Sequence, residues 1–250
     1  MYTMLLLLAI PATAADLPSV DTPVKTGQRV NGDAAVVIGV ERYVYLPPAS
    51  YAERDAQAMY DFLVYTRGIP SSRAALLQGG TSRRKIIEAV TTAGQQVGPS
   101  GTTWIYFAGH GTASPTTRER LVLPENTLPD AGDFDEQGVS VAELQRLAGQ
   151  GGGQVMVITD ACFTGAGRAG GTLLSDGRSW VPPTASAGDR TTQWDAALAN
   201  QVAGPLEPVA HGAFTYFALG AMRGWADGQL PGARAGVVTS EEAHLYDAEA

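Results

Sequence analysis

The sequence predicts an α/β fold in which a mostly parallel central sheet carries helices on both faces. Two observations predict it. Short unbroken apolar runs recur along the chain, as in strands buried on both sides. Between them lie longer segments with helical spacing and their own capping residues, so strand and helix signals alternate. The 250 residues, 44% of them hydrophobic, suffice for one fairly large domain with a proper core.

The elements follow in order. "AAVVIGV" (Ala34–Val40) reads as the first buried strand, and Pro47-Pro48 breaks the chain after it. Ser50 with Glu53 forms an S-x-x-E capping box for the first helix. Ala52, Ala56, Met59 and Leu63 follow at helical spacing until Gly68 and Pro70 end it. "AALL" (Ala74–Leu77) is a second, weaker strand, and "TSRRKIIEAVTTAGQQV" a helix capped by Thr81. "TTWIYFAGHG" carries the third strand, ending at Ala108; Ser140 and Glu143 open another helix through Leu147; "QVMVITD" is the fourth strand. "WVPPTASA" is expected as a fifth, its prolines near the start where a strand tolerates them. "GAFTYFALGAMRG" is a further helix, and Thr239 with Glu242 caps a last short one.

Net charge is −8, from 25 acidic and 17 basic residues, with no basic stripe or tail, which argues against nucleic acid as a partner. Residues 1–15 resemble a secretory signal peptide: an apolar core, Met4 to Ile10, precedes small residues Ala12-Thr13-Ala14, although no Lys or Arg precedes the core. The expectation is a secreted or periplasmic protein if this segment is a signal, and a cytoplasmic one otherwise. No later segment is long and apolar enough to span a membrane. Residues 16–31 read as a polar linker, and 32–250 as the folded domain.

The chemistry concentrates where two apolar runs stop. The third strand ends into Gly109-His110-Gly111, the fourth into Asp160-Ala161-Cys162. Cys162 is the only cysteine, so it is either a buried small hydrophobe or a reactive thiol. Active residues of such sheets gather at the carboxyl ends of strands. If the two strands are parallel neighbours, His110 and Cys162 meet at one edge, and the first helix brings Asp55 towards it. A thiol becomes a competent nucleophile as the thiolate, which a nearby imidazole promotes, and the same imidazole can protonate a leaving amine. Glycines beside both residues let a substrate backbone approach and leave amide N–H groups to face an oxyanion.

"YFAGHG" followed by "DACFTG", with the cysteine 52 positions after the histidine, resembles the caspase-like cysteine peptidases, closest to the metacaspase and bacterial caspase-like branch. "AVVIGVERYVYLPPASYAERDAQAM" is similar to that family's first strand, loop and helix, and "HGAFTYFALGAMRGWADG" to its late helix, so the resemblance runs from about Ala34 to the C-terminus. It implies the three-layer caspase-like fold. It implies Cys162 as nucleophile, His110 as general acid/base, and the N–H groups of Gly111 and Cys162 as the oxyanion hole. Caspases cutting after aspartate have glutamine two residues before the cysteine; Asp160 stands there in this chain, as in metacaspases. With Asp55 as second pocket acid, the implied S1 pocket takes Arg or Lys, since carboxylates attract cations and accept bidentate bonds from arginine. Read from residues alone, the alternative for Asp55 is an exposed helix residue and for Asp160 a strand-end cap, and the pocket role weighs more at Asp160 than at Asp55. The chain departs from the metacaspase pattern D-x-C-H-S-G with Phe163-Thr164, has Ala108 where a serine is often found, and Arg54 before Asp55.

The segment Phe163 to Trp180 reads as a long glycine-rich loop, where Arg168 and Arg178 suit self-cleavage by a basic-specific enzyme. His211 reads as a structural residue at the start of the late helix and His244 as solvated, while Trp104, Phe107, Phe214 and Phe217 read as core. No metal-ligand constellation stands out and no cofactor is required by the sequence. The acidic "PDAGDFDEQG" (Pro129–Gly138) lacks the EF-hand pattern and reads as a solvated loop, leaving calcium dependence open. The reading is a cysteine endopeptidase acting on proteins or peptides after Arg or Lys. The alternatives are a clostripain- or gingipain-like peptidase, or a catalytically idle caspase-like interaction module.

Overall fold

A computed structural model of the chain describes residues 17–167, 171–174, 176–182, 188–196, 204–227 and 242. The chain runs β1 (Ala34–Gly39), α1 (Ala52–Asp61), β2 (Ala74–Gln78), α2 (Arg83–Gln96), β3 (Thr102–Ala108), β4 (Gly111–Ala113), β5 (Arg120–Val122), α3 (Ala131–Gln137), β6 (Val139–Ser140), α4 (Val141–Ala148), β7 (Gln154–Asp160), β8 (Thr191–Asp195), β9 (Pro205–Leu206), β10 (His211–Gly212) and α5 (Ala213–Gly220). The central sheet has the order β2-β1-β3-β7-β8, every neighbouring pair parallel. Two small antiparallel sheets, β4-β5-β6 and β10-β9, lie outside it.

Period-2 alternation divides the core into two layers. Ile105 and Phe107 of β3, with Val155 and Val157 of β7, face α2 and α4. Trp104, Tyr106 and Ala108, with Ile158, face α1 and α5. Helices therefore cover both faces of the sheet, as the unbroken apolar runs require. Trp104, Phe107 and Phe214 are core residues, and Phe217 is partly buried against the layer of Trp104 and Phe214. Helix α1 lies so close to β1 that a Cβ on Gly39 would stand 2.6 Å from the Ala52 carbonyl and 2.7 Å from Ala56 Cβ.

Several local expectations are corrected. Helix α1 is not capped by Ser50: its N-cap is Tyr51, in the left-handed region at φ 67°, with no side-chain cap. The Glu53 N–H donates instead to the Glu41 carboxylate, so a loop acid replaces the capping box. The helix continues through wider turns, Phe62–Arg67, to Gly68 at φ 91°. The N-cap of α2 is Ser82, one residue after Thr81, because Ser82 Oγ accepts from the Lys85 N–H. Ser140 caps α4 as expected, accepting from the Glu143 N–H, while the Glu143 carboxylate pairs with Arg83. The acidic stretch after Pro129 is not a solvated loop. Asp130 caps α3 through the N–H groups of Gly132 and Asp133, and Phe134 buries the helix against Leu121 and Leu123. The fifth sheet strand is β8; Trp180–Pro182 form no strand, and residues 183–187 lie outside the described residues. The prolines explain this: they carry no N–H for a ladder.

Residues 17–33 form no helix or strand but are packed onto the body of the protein. Val20 is fully buried. Tyr216 donates to the Pro18 carbonyl at 2.8 Å, and Arg223 donates to the carbonyls of Val20 and Thr22. At the end of this segment Asp33 is buried and accepts from Arg67, from the Thr102 N–H and from Trp104 Nε1. The leader 1–15 lies outside the described residues, as does the last capped helix apart from Glu242. No helix among the described residues is long and apolar enough to cross a membrane.

Candidate active site

Strand register brings the two motifs to one edge. β3 and β7 pair along their whole lengths, with Ala108 opposite Asp160. The coupling runs one step further, the Gly109 N–H donating to the Asp160 carbonyl. His110 and Cys162 each follow two residues after this matched pair. Gly111 packs on the segment carrying the cysteine: a Cβ there would lie 3.2 Å from both Ala161 Cβ and the Cys162 carbonyl, and 3.1 Å from the Phe163 ring. A side chain there would have to push these neighbours back by a few tenths of an ångström. Gly109 is held as tightly, since a Cβ would stand 2.7 Å from Tyr43 Oη.

His110 is buried and its ring is fixed. Nε2 lies 2.7 Å from the Pro47 carbonyl, in the loop after β1. A carbonyl only accepts, so Nε2 carries a proton, and in the neutral ring Nδ1 is the basic nitrogen. Tyr43 supports the same residue from one side: its hydroxyl accepts from the His110 N–H at 2.7 Å and donates to the Leu123 carbonyl at 3.1 Å, and its ring stands 4.7 Å from the imidazole. Cys162 is buried and not in a disulfide, with Ala196, the residue after β8, packed beside it. Phe163 is buried in the core layer under α2 and α4, and the Arg120 guanidinium lies 5.3 Å over its ring. Arg120 pairs with Asp195, which also accepts from Thr159 Oγ1 at 2.5 Å. These contacts tie the residues before and after Cys162 to β5 and β8.

Both candidate pocket acids are fully buried on the α1/α5 side of the sheet. Asp160 Oδ2 accepts from Thr215 Oγ1 of α5 at 2.5 Å. Asp55 is not an exposed helix residue. Its carboxylate accepts twice from the Gly212 N–H, at 3.1 and 3.0 Å, and lies 2.7 Å from His211 Nδ1. His211 Nε2 faces Asp21 at 3.1 Å, and Asp21 forms a two-point contact with Arg54. The Arg54 hydrogen bond holds the Asp21 carboxyl below its ordinary value; partial burial opposes this and His211 assists it. His211 therefore has the structural place the sequence suggested, joined to the acid of α1.

The segment after Cys162 is less free than its composition suggests. Ala166 bridges Thr172, the Leu173 N–H donates to the Gly165 carbonyl, and Leu173 and Leu174 are buried with Leu46, Leu121 and Phe134. Arg178 is exposed beside Asp176 and over Trp180. Arg168 and His244 lie outside the described residues. Among the described residues no group of three or more His, Cys, Asp or Glu side chains could hold a metal ion.

Sequence reasoning missed four participants. The Pro47 carbonyl has no side-chain signature. Tyr43 lies in a loop whose course no periodicity gives. Thr215 and Tyr106 read as ordinary helix and strand residues, and only the layer packing joins them to Asp160.

A parallel sheet with a histidine loop and a cysteine loop adjoining at its carboxyl edge defines an α/β protein of the caspase-like class. The profile of the caspase domain, a peptidase family, matches residues 33–229, and the chain belongs to that family. Its fold is similar to that of protein GSU0716 from Geobacter sulfurreducens, with a TM-score of 0.59 at 16% identity over 87% of this chain and 88% of that one. It is also similar to caspase-1 from Spodoptera frugiperda, with a TM-score of 0.51 at 10% identity over 84% and 76% of the two chains. No curated protein matches the sequence.

Proposed function

We propose that this protein is a cysteine endopeptidase that cleaves after Arg or Lys, with Cys162 as nucleophile and His110 as general acid/base. The observation that carries the reading is the matched row Ala108–Asp160, two residues before each motif residue, with Gly111 against the Cys162 segment. The thiolate attacks the scissile carbonyl carbon, and the carbonyl oxygen becomes an oxyanion facing the N–H groups of Gly111 and Cys162. The His110 imidazolium gives its proton to the leaving amine, which departs and leaves a thioester. Water then attacks the thioester, with the imidazole taking its proton, and the thiol is released. The Pro47 carbonyl and Tyr43 keep the ring in one orientation through this cycle. Asp160 forms the floor of the S1 pocket, and Asp55 supports the pocket from behind, its oxygens held by His211 and Gly212. A buried carboxylate favours a cationic P1 side chain and rejects an acidic one by charge and desolvation. Arg178, exposed in the segment after the nucleophile, and Arg168 are the sites where such an enzyme would cut itself. Export by way of residues 1–15 is part of the same proposal.

The test is kcat/KM on matched peptides with Arg, Lys, Asp or Gln at P1, with Cys162→Ala as the blank. Cleavage after Arg and Lys that is absent in the blank is expected. Preference for Asp at P1, or equal cleavage by Cys162→Ala, would overturn the proposal.

A further inference from the structure

Asp160 does not stand alone under α5. Its Oδ2 accepts a hydrogen bond from Thr215 Oγ1 at 2.5 Å, and Thr215 Oγ1 lies 2.6 Å from Tyr106 Oη. The directions of both bonds follow from proton counting. The carboxylate can only accept, so the single hydroxyl proton of Thr215 is committed to Asp160. Thr215 Oγ1 must then accept from the Tyr106 phenol. The result is a one-way chain, Tyr106 to Thr215 to Asp160, in which all three residues are buried. Each link comes from a different element: Tyr106 from the middle of β3, Thr215 from the first turn of α5, Asp160 from the end of β7.

The chain has a fixed anchor. Gly212, the N-cap of α5, donates its N–H to both oxygens of Asp55, and the preceding His211 contacts the same carboxylate. Asp55 therefore sets the start of α5, and Thr215 is the third residue of that helix. The two acids that the sequence assigns to one pocket are connected through α5, one holding the helix and the other held by it.

We infer that Thr215 is the positioning residue of the specificity acid Asp160, with Tyr106 as the donor that orients Thr215; this rests on the reading of Asp160 as the S1 acid. A carboxylate at the end of a strand has free rotation about χ1 and χ2 unless something fixes it. A hydroxyl fixed on both sides removes that freedom and leaves the plane of the carboxylate set before a guanidinium arrives, which bidentate recognition needs. Thr215 touches neither the scissile bond nor the nucleophile in this scheme, so its loss acts on P1 recognition and not on bond cleavage.

The experiment compares wild type, Thr215→Val, Thr215→Ser, Tyr106→Phe and Asp160→Ala. Five quantities are read for each: kcat and KM with Arg at P1, kcat/KM with Gln at P1, the rate of Cys162 alkylation by iodoacetamide, and the melting temperature. Thr215→Val keeps the side-chain shape and removes the donor. It should lower the Arg-over-Gln ratio about tenfold or more, mainly through KM, as expected for losing a hydrogen bond to a charged group. Alkylation and cleavage after Gln should stay within about twofold, since neither uses the pocket acid. Thr215→Ser should restore the ratio, and Tyr106→Phe should lower it less than Thr215→Val does. A general packing defect would instead lower cleavage of both peptides, slow or speed alkylation, and escape rescue by serine. If Asp160→Ala loses the Arg preference while Thr215→Val keeps it, the positioning role is wrong and the pocket assignment stands. If Asp160→Ala keeps the preference, or wild type cleaves no Arg peptide, the pocket assignment fails and the inference fails with it.

Discussion

Replacing Asp55 by alanine separates a buried structural acid from a surface one, and the structure sets the scale of the effect. The carboxylate is fully buried and accepts from the Gly212 N–H at two oxygens and contacts His211 at 2.7 Å. Removing it orphans a buried backbone donor, which costs about 1–3 kcal/mol. It also strips one partner from a buried ionisable group, a change worth about 3–5 kcal/mol when no partner remains. His211 still faces Asp21, so the second cost is reduced and the two overlap. A net loss of about 3 kcal/mol is expected, and for a chain of this size each kcal/mol lowers the melting temperature by about 2–4 °C. The expected drop is therefore about 6–12 °C by calorimetry or circular dichroism. Glu53→Ala is the internal control, two residues earlier on the same helix turn. Glu53 pairs only partly buried with the exposed Arg42, and exposed pairs contribute about 0–1 kcal/mol. Equal melting temperatures for the two variants, or an Asp55→Ala protein within about 2 °C of wild type, would refute the anchoring role.

Gly39→Ala should destabilise by about 1–3 kcal/mol in urea unfolding, because the new methyl group meets the α1 backbone at 2.6 Å and neither element can yield without moving the sheet; an unchanged midpoint would show that α1 is not seated on β1 as described. The Asp21 carboxyl is depressed by its Arg54 hydrogen bond, so the stability it adds is present above its ordinary value of 3.8 and is lost as pH falls through the lower folded value. Its partial exposure keeps that contribution small. The acid arm of a stability–pH profile should accordingly be flatter in Asp21→Asn than in wild type, and parallel acid arms would count against the contact between the N-terminal segment and Arg54.

Much of the frame was legible because buried parallel strands write themselves as apolar runs. The bounds expected for β3 and β7, ending at Ala108 and Asp160, are those observed. The caspase-like fold followed from motifs set on those strand ends. Less legible was anything fixed by contacts distant in sequence. The strand β8 is short, polar and half-exposed, TTQWD, and carries no apolar run to announce it; the proline-containing segment before it has a better composition and the wrong chemistry. Helix α3 carries three acids in seven residues and buries only Phe134, so its pattern resembles a loop. The segment 17–33 has a linker's composition, yet its contacts are made largely by backbone carbonyls and two acids, which periodicity does not register. Asp55 shows the same limit at the site. A carboxylate in a first helical turn is ordinary on a surface, and only the arrival of β10 from 156 residues away turns it into a buried anchor.

The two halves of the proposed chemistry are held by different parts of the molecule. His110 and Cys162 take their places from the β3–β7 register, from backbone groups such as the Pro47 carbonyl, and from glycines that allow close approach. Such supports tolerate side-chain change poorly at the glycines and at Tyr43, whose hydroxyl accepts from the His110 N–H. Asp160, by contrast, is set by side chains: Thr215 and Tyr106 directly, and Asp55 with His211 through the start of α5. The side of α5 facing Asp160 can therefore vary while the sheet edge remains intact. On this reading substitutions along that side redirect P1 preference without disturbing the nucleophile, and substitution at Gly109, where a Cβ would stand 2.7 Å from Tyr43 Oη, lowers cleavage of every peptide alike.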